Sequence, residues 1–497
     1  MQTCILHAQQ PNYESTMNHS KQFYINGQWV DPVSANDYDV IDPSTEQVCA
    51  TISLGDAGDT NAAVAAAKAA FPSWSVSSRE QRIKCLENLL SIYAARIVEM
   101  GQAISMEMGA PIDMATQIQA GAGMEHIQST IDALRSFEFE HPMDQQNPGY
   151  GIIHEPIGVV ALITPWNWPM NQVALKVAPA LAAGCTMVLK PSEIAPLSSI
   201  LFAQMIDEAG IPAGVFNMLN GDGVGVGSQL SAHPDVDMVS FTGSTRAGAA
   251  ISKNAADTVK RVALELGGKG ANIIFADADP EAVARGAYAC FYNSGQSCNA
   301  PTRMMVEAGA YDAAVETAAM IANSIPVQLA SESGEHIGPV VSEVQYNKIQ
   351  QMIKKGIAEG ARLVAGGPGR AGDHQQGYFV KPTVFADVTQ DMSIARDEIF
   401  GPVLSIQKFD TEQQALEMAN DTIYGLTNYV QTQDQPRAQR LARGLRSGMV
   451  EINGQAVTDV PSPFGGYKQS GNSREGGRWG IEEFLEIKAI AGWQAPS

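Results

Sequence analysis

Residues 159–190 read VVALITPWNWPMNQVALKVAPALAAGCTMVLK, and this stretch decides the fold class. Val159-Val-Ala-Leu-Ile163 is a short apolar run of the kind a buried strand carries. A Pro/Trp turn follows, and then Asn171 to Ala183 sets apolar residues at helical spacing and stops at Gly184. Thr186-Met-Val-Leu189 is a second apolar strand. The alternation continues through a helix over Leu197 to Ala209 closed by Gly210, strands at Val215 to Leu219 and Val236 to Phe241, and a helix from about Arg246. Such alternation implies a parallel sheet with crossover helices, where ligands bind beyond the carboxyl ends of the strands.

A second alternating block runs from Asn272-Ile-Ile-Phe275 to about Asn453. Upstream, Phe23-Tyr-Ile-Asn-Gly-Gln-Trp-Val30 predicts a hairpin turning at Asn26-Gly27. Asp59 to Ala70 and Arg79 to Met108 predict helices, with Phe71-Pro72-Ser73-Trp74 between them as a breaker. The Pro-, Gln- and Asn-rich stretch from His141 to Tyr150 marks a change of architecture. Phe484 to Ala491 alternates like a strand, which either closes a sheet of its own chain or adds to a neighbouring subunit's sheet.

A chain of 497 residues is too long for one core, so two or three units are expected. No apolar run reaches the ~18–20 residues that cross a bilayer; Ala174 to Val188 is broken by Lys176, Pro179 and Gly184. Residues 1–20 read as a flexible polar tail without the features of a secretory signal, so the cytoplasm is the default location. The formal charge of −21 argues against nucleic acid and against an anionic membrane surface as partners. Cysteines at 4, 49, 85, 185, 290 and 298 form neither a disulfide framework nor a zinc-spaced cluster, so reduced thiols and no metal are expected.

Five loops carry the chemistry. Asn293-Ser-Gly-Gln-Ser-Cys298 turns sharply after an Ala-rich helix and would expose a cysteine, which local positive potential could activate. Alone, a loop cysteine is usually structural. Leu264-Glu265-Leu-Gly-Gly268-Lys269 sets a carboxylate at the end of an apolar strand, where partial burial would tune it as a general base. Thr164-Pro-Trp166-Asn167-Trp168-Pro169 offers the Asn167 amide to an oxyanion, although a capping role is the plainer reading. Lys190-Pro-Ser-Glu193 suits the hydroxyls of an adenosine ribose, and its carboxylate favours NAD over NADP. In Phe241-Thr-Gly243-Ser244-Thr-Arg-Ala-Gly248 a glycine turn enters a helix whose first N–H groups suit a pyrophosphate. Neither this loop nor Gly221-Asp-Gly223-Val-Gly225-Val-Gly227 fits the standard phosphate-loop spacings, so any dinucleotide site is of a non-standard kind.

Together these residues resemble the aldehyde dehydrogenase superfamily, from about Phe23 to Ile490. PWNWP (165–169), KPSE (190–193), FTGSTRAG (241–248), LELGGK (264–269), GQSC (295–298), EIFGP (398–402) and PFGGYKQSG (463–471) recur in the family's order. The chain departs from many relatives in Gly270-Ala271-Asn272 and Asn299-Ala300-Pro301-Thr302, which bear on turns rather than on reacting groups. GGKGANIIFADAD with NSGQSCNAPTR is similar to bacterial catabolic members, including those for semialdehydes from N-heterocycle cleavage and for long-chain or alicyclic oxo-acids.

The resemblance implies an α/β fold with a Rossmann-type cofactor domain (21–140 and 158–264), an α/β catalytic domain (265–460) and a small β oligomerisation element (141–157 and 480–497), assembled as a homodimer or homotetramer. It implies oxidation of an aldehyde or semialdehyde to the acid with NAD, NADP being the alternative. Cys298 would form a thiohemiacetal and then a thioester, Asn167 would hold the oxyanion, and Glu265 would activate the hydrolytic water. Cofactor contacts would come from Ile163, Thr164, Trp166, Lys190, Glu193, Gly223, Gly227, Gly243, Ser244, Leu266, Glu398 and Phe400. Trp168, Met170, Ser297, Asn299, Val457 and Phe464 would line the acyl pocket, and Arg303 or Arg285 could meet a substrate carboxylate. Glu265 separates the chain from relatives that acylate coenzyme A, which typically lack that base. A cysteine hydrolase would need a histidine near Cys298, and the nearest in sequence, His233 and His336, lie in no motif with it. A non-enzymatic protein on this fold would lack Cys298 or Glu265, and both are present.

Overall fold

The computed structural model describes residues 18–147, 149–457 and 460–495. Most of the tail expected over 1–20 lies outside them; residues 18–21 form a turn in which His19 stacks on Trp29 at 4.1 Å.

One sheet has seven strands in the order Arg261–Glu265, Met238–Thr242, Val159–Ile163, Thr186–Lys190, Phe216–Met218, Phe23–Ile25 and Gln28–Val30. The first five are parallel. Helices shield both faces, which is why the three middle strands are buried at every residue and read as continuous apolar runs. The last two strands form the expected hairpin, whose Asn26 (φ 53°) and Gly27 (φ 73°) supply the left-handed pair that a tight two-residue turn needs.

In chain order the parallel strands run 5-4-1-2-3 across the sheet, so the winding reverses between Val159–Ile163 and Met238–Thr242. A crevice therefore opens where those strands end, at Thr164 to Trp168 and at Gly243-Ser244.

Two helices depart from the pattern. Pro72 does not end the first, which spans Ala57–Trp74. The ring costs a single N–H in the last turn, while Trp74 gains a place in the core and the Ser75 N–H closes on the Phe71 carbonyl at 2.9 Å. The predicted helix over Arg79 to Met108 is two, Arg79–Ala95 and Ile97–Met108, broken at Arg96 (φ −111°, ψ 17°). The bend lets Met100, Ala103, Ile104 and Met108 all reach the core.

The second seven-stranded sheet runs Arg362–Ala365, Thr383–Ala386, Val403–Phe409, Arg303–Glu307, Ala271–Ile274, Thr427–Gln431 and Met449–Ile452, parallel except for its first strand. Leu485–Ala491 pairs with Tyr150–Pro156, which pairs with Glu140–Pro142, so the C-terminal strand joins a sheet of its own chain. No helix among the described residues is long and apolar enough to cross a membrane.

Candidate active site

The strand Arg261–Glu265 ends at the crevice, and the chain crosses from there to the second sheet through Leu266-Gly-Gly-Lys269. Two missing side chains make that crossing. A Cβ on Gly268 would collide with the Cys298 carbonyl oxygen, and one on Gly267 with the Glu398 carboxyl. The Gly268 N–H donates to Glu398 Oε1 at 2.8 Å, and the Leu266 N–H to the Ser470 carbonyl at 2.9 Å. Glu265, the cysteine loop and Glu398 meet at this turn.

Glu265 is 2% exposed. Its Oε1 accepts Ser473 Oγ–H at 2.8 Å, while Oε2 has no partner among the described groups. Burial, and then the neighbouring Glu475, hold the carboxyl well above the usual range, opposed by Ser473, Lys176 and Arg474. Glu475 is bonded to Lys176, and both are buried.

The cysteine loop begins as the helix Ala282–Phe291 ends. Asn293 (φ 52°), Ser294 (φ 55°) and Gly295 (φ 72°) are left-handed in succession, a strained reversal that its surroundings must enforce. Asn293 Nδ2 donates to the Asn167 carbonyl (3.0 Å), Gln119 Nε2 to Asn293 Oδ1 (3.0 Å), and Ser294 Oγ to the Gly338 carbonyl (2.7 Å). Asn167 Nδ2 in turn donates to the Gln296 carbonyl at 3.1 Å, which docks the amide on the loop.

Cys298 is half-buried, and here the sequence expectation needs correcting. Burial, then Glu398 and Glu265, push its thiol up. Its surroundings are acidic rather than positive, so the neutral thiol is the resting form.

Around the crevice, Ile163 sits in register with Lys190 and Phe241, and the Thr164 N–H donates to the Lys190 carbonyl at 3.1 Å. Lys190 Nζ reaches the Pro191 carbonyl at 2.8 Å and Glu193 Oε2 at 3.2 Å. Asp222 accepts the Gly225 N–H at the start of the turn Gly223–Gly227, and Gly227 lies against Lys190. The Gly243 N–H donates to the Glu265 carbonyl, and Ser244 caps the helix Thr245–Ala255. Phe400, held at φ 59°, meets Trp166 edge-on at 5.4 Å.

Residues 29–490 match the aldehyde dehydrogenase family. The chain belongs to that family. It is 51% identical over 480 residues to a 3-succinoylsemialdehyde-pyridine dehydrogenase of a Pseudomonas species, covering 96% of this chain and 100% of the relative. It superposes on an aldehyde dehydrogenase from Bartonella henselae with TM-score 0.95 and 58% identity, covering 95% of this chain and 99% of that one. A cysteine-to-alanine variant of aldehyde dehydrogenase C from Pseudomonas syringae, complexed with NAD+ and octanal, matches with TM-score 0.94 and 48% identity over 96% of this chain and 98% of its own. The fold is thus that of an aldehyde dehydrogenase.

Of the expected acyl-pocket residues of this family member, Trp168 donates from Nε1 to Ser297 Oγ at 2.8 Å, beside the cysteine. Its ring lies 6.2 Å from that of Tyr292, which lies 6.0 Å from that of Tyr288. The two tyrosines are absent from the sequence reading; their four-residue spacing at the end of the helix before the cysteine was the available signal. The Asn299 carbonyl accepts Tyr429 OH at 2.6 Å, the Val457 N–H donates to Glu451 at 3.2 Å, and Phe464 exchanges two backbone bonds with Glu475. Met170 is enclosed in the core of the first unit.

Neither expected arginine is available to a substrate carboxylate. Arg303 is fully buried and its donors are taken by the carbonyls of Lys269, Met418 and Ala419. Arg285 is paired with Asp279 and bonded to Gln431. His336 bonds the Gly334 and Leu329 carbonyls and His233 bonds Asn61, so both rings are engaged away from Cys298.

Proposed function

We propose that this chain oxidises an aldehyde to the carboxylic acid with NAD, through a thioester on Cys298 that is hydrolysed by water deprotonated by Glu265. The observation that carries the reading is the Gly267-Gly268 crossing, which sets a buried carboxyl with one open oxygen against the nucleophile's own peptide.

Cys298 Sγ attacks the carbonyl carbon and gives its proton to water in the crevice as the C–S bond forms, since the resting group is the thiol. The second N–H of Asn167 and the Cys298 backbone N–H hold the oxyanion. Bound nicotinamide supplies the acceptor for the hydride that leaves the substrate carbon. Glu265 then draws a proton from water, the hydroxide adds to the thioester carbon, the C–S bond breaks, and the departing sulfur takes a proton from the newly formed carboxylic acid to return the thiol.

The chain's own residues fit a dinucleotide. The crevice at the winding reversal ends in a capped helix start at Ser244, suited to a pyrophosphate. Lys190 and Glu193 together suit the adenosine ribose, and the Glu193 carboxylate disfavours a 2′-phosphate, so NAD is preferred over NADP. Glu398, fixed by Gly268, suits the second ribose, with Phe400 and Trp166 beside it. The NAD+ complexes of the relatives from Pseudomonas syringae and Bacillus cereus support the assignment. We assign 21–140 and 158–264 to the cofactor domain, 265–460 to the catalytic domain, and 141–157 with 480–497 to oligomerisation. The last assignment is supported by the outer edge of Leu485–Ala491, which bears the exposed Ile487 and no further strand of this chain among the described residues. A homodimer or homotetramer in the cytoplasm fits.

For substrate we propose a semialdehyde whose distal end is an aromatic ring, of the pyridine-derived kind named for the Pseudomonas relative. The ladder Tyr288, Tyr292, Trp168 fits a planar group, and Arg285 and Arg303, both engaged elsewhere, offer no partner for a carboxylate. The octanal complex of the Pseudomonas syringae relative favours a second reading, a long aliphatic aldehyde. The test is Cys298→Ser in the full chain: reduced cofactor should cease to form with every aldehyde while NAD still quenches tryptophan fluorescence. Undiminished oxidation by the variant would overturn the mechanism, and a lower KM for octanal than for a pyridyl semialdehyde would select the aliphatic substrate.

A further inference from the structure

The Asn167 amide is held from behind, and the bonds that hold it lead away from the crevice. The Gln296 carbonyl accepts Asn167 Nδ2 at 3.1 Å and Asn293 Nδ2 at 3.3 Å, and the Asn167 carbonyl accepts Asn293 Nδ2 at 3.0 Å. The Asn293 side chain thus lies between the backbone of Asn167 and the carbonyl that fixes the Asn167 side chain. Carbonyls only accept, so Asn293 presents Nδ2 to both and turns Oδ1 the other way. Asn293 is buried, so that oxygen needs a donor from inside the protein.

Gln119 is that donor. Its Nε2 lies 3.0 Å from Asn293 Oδ1, and no other group among the described residues donates there. Gln119 is itself wholly buried. Nε2 otherwise reaches only Met108 Sδ at 3.7 Å, a weak acceptor, and Oε1 has no partner among the described groups. An apolar side chain would fill the same space without leaving an acceptor unpaired, so what Gln119 adds is the donor. The backbone is bent to aim it. Gln119 ends a π turn, Ala115–Gln119, set between Ile112–Met114 and the helix Ala120–Ser136, with the Ala120 N–H bonded to the Ala115 carbonyl. Such a turn is wider than an α-helical one and occurs most often at functional sites. Packing makes room for it: a Cβ on Gly101 would come 2.6 Å from Thr116 Cα, and Tyr93 OH donates to the Ala120 carbonyl at 2.9 Å.

We propose that Gln119 is a positioning residue for the oxyanion amide. By donating to Asn293 Oδ1 it fixes the orientation of that side chain. Asn293 then holds the Asn167 backbone and the Gln296 carbonyl at the spacing that leaves the second N–H of Asn167 free for the oxyanion. With its amide reversed, Asn293 would set an oxygen against two carbonyl oxygens, and no bond could form. The inference rests on Asn167 holding the oxyanion in the proposed mechanism.

Gln119→Leu removes the donor, and Gln119→Glu keeps the shape but makes donation depend on protonation. Both are compared with the parent as full-length enzymes, in the first-turnover burst of reduced cofactor at saturating aldehyde and NAD. Rates are scaled to the enzyme fraction whose tryptophan fluorescence NAD quenches. Gln119→Leu should slow the burst about 10- to 100-fold, because the oxyanion forms before hydride leaves, and should keep its NAD binding. A carboxyl donates only while protonated. As a ratio to the parent, the Gln119→Glu burst should exceed that of Gln119→Leu in acid and decline toward it wherever rising pH ionises the carboxyl. A burst in Gln119→Leu equal to the parent's would overturn the proposal. So would a Gln119→Glu burst no faster than that of Gln119→Leu at any pH, because a restored donor would then restore nothing. Loss of NAD binding in both variants would also overturn it, since that marks a structural role. Asn167→Ala run alongside separates the two claims. If its burst equals the parent's, the oxyanion assignment fails; if it is slow while Gln119→Leu is unimpaired, positioning by Gln119 alone fails.

Discussion

Glu107 and Glu265 are both sealed inside this molecule, one at a helix start and one in the active-site crevice. Glu107, on Ile97–Met108, is fully buried and accepts the backbone N–H groups of Leu197 and Ser198. Those donors open the helix Leu197–Glu208 and have no partner inside it. Each oxygen of Glu107 is thus engaged. Glu265 is as deeply enclosed, yet only one of its oxygens is held, by Ser473. Burial raises both carboxyl groups above their ordinary range, Glu107 to about 7. What separates the two carboxyl groups is unused valence, not depth, and on the proposed mechanism that is what makes one a cap and the other a reagent.

The contrast is widest in turnover. Glu265→Gln should lower kcat by about 10²–10⁴-fold and leave the melting temperature equal or higher, since a neutral amide avoids the cost of enclosing a charge. Parallel losses of rate and stability would erase the distinction. Glu107→Gln should do the reverse, keeping activity per folded molecule while lowering stability by roughly 1–3 kcal/mol, because its amide NH₂ cannot accept the second backbone N–H. Urea unfolding with activity assayed on the folded fraction checks both.

Acidity sharpens the same pair. The Glu107 carboxyl rises from 4.5 to about 7 on folding, so the native state favours its protonated form. Its stabilising contribution is complete below 4.5 and is lost as the pH climbs to about 7, an effect on the order of 3 kcal/mol. That slope should vanish in Glu107→Gln; a slope equal to the parent's would show that other groups carry it. The smallest effect belongs to Ser473→Ala. Removing its hydroxyl lifts Glu265 further, so the acid limb of the rate profile should move to higher pH and neutral activity fall about fivefold, the worth of one hydrogen bond at ~1 kcal/mol.

Local grammar is the part of this chain that its sequence displays. Asn26-Gly27 announces its turn, Gly184 and Gly210 stop their helices, and the motifs at Thr164, Lys190, Gly243 and Glu265 sit where strands end. What stays hidden depends on distant segments meeting. Ser473 reaches Glu265 across 208 positions, and Lys176 reaches Glu475 across 299. No periodicity encodes such pairings, so the acidic setting of Cys298 and the Lys176–Glu475 pair were beyond reading. Arg303 misled for a related reason: a charged residue at a strand start looks exposed until three carbonyls are found around it. Pro72 marked a stop that the burial of Trp74 overrode.

Ser473 and Glu475 arrive on the stretch that doubles back from the second sheet to the first, sealed by the Glu265–Gly471 bridge. During synthesis the 208 positions from Glu265 to Ser473 must leave the ribosome before the crevice gains its final wall. A nascent chain therefore carries Cys298 and Glu265 well before Ser473 can engage the Glu265 carboxyl. Docking of the segment around Ser473 therefore completes the crevice only once both sheets are there to receive it.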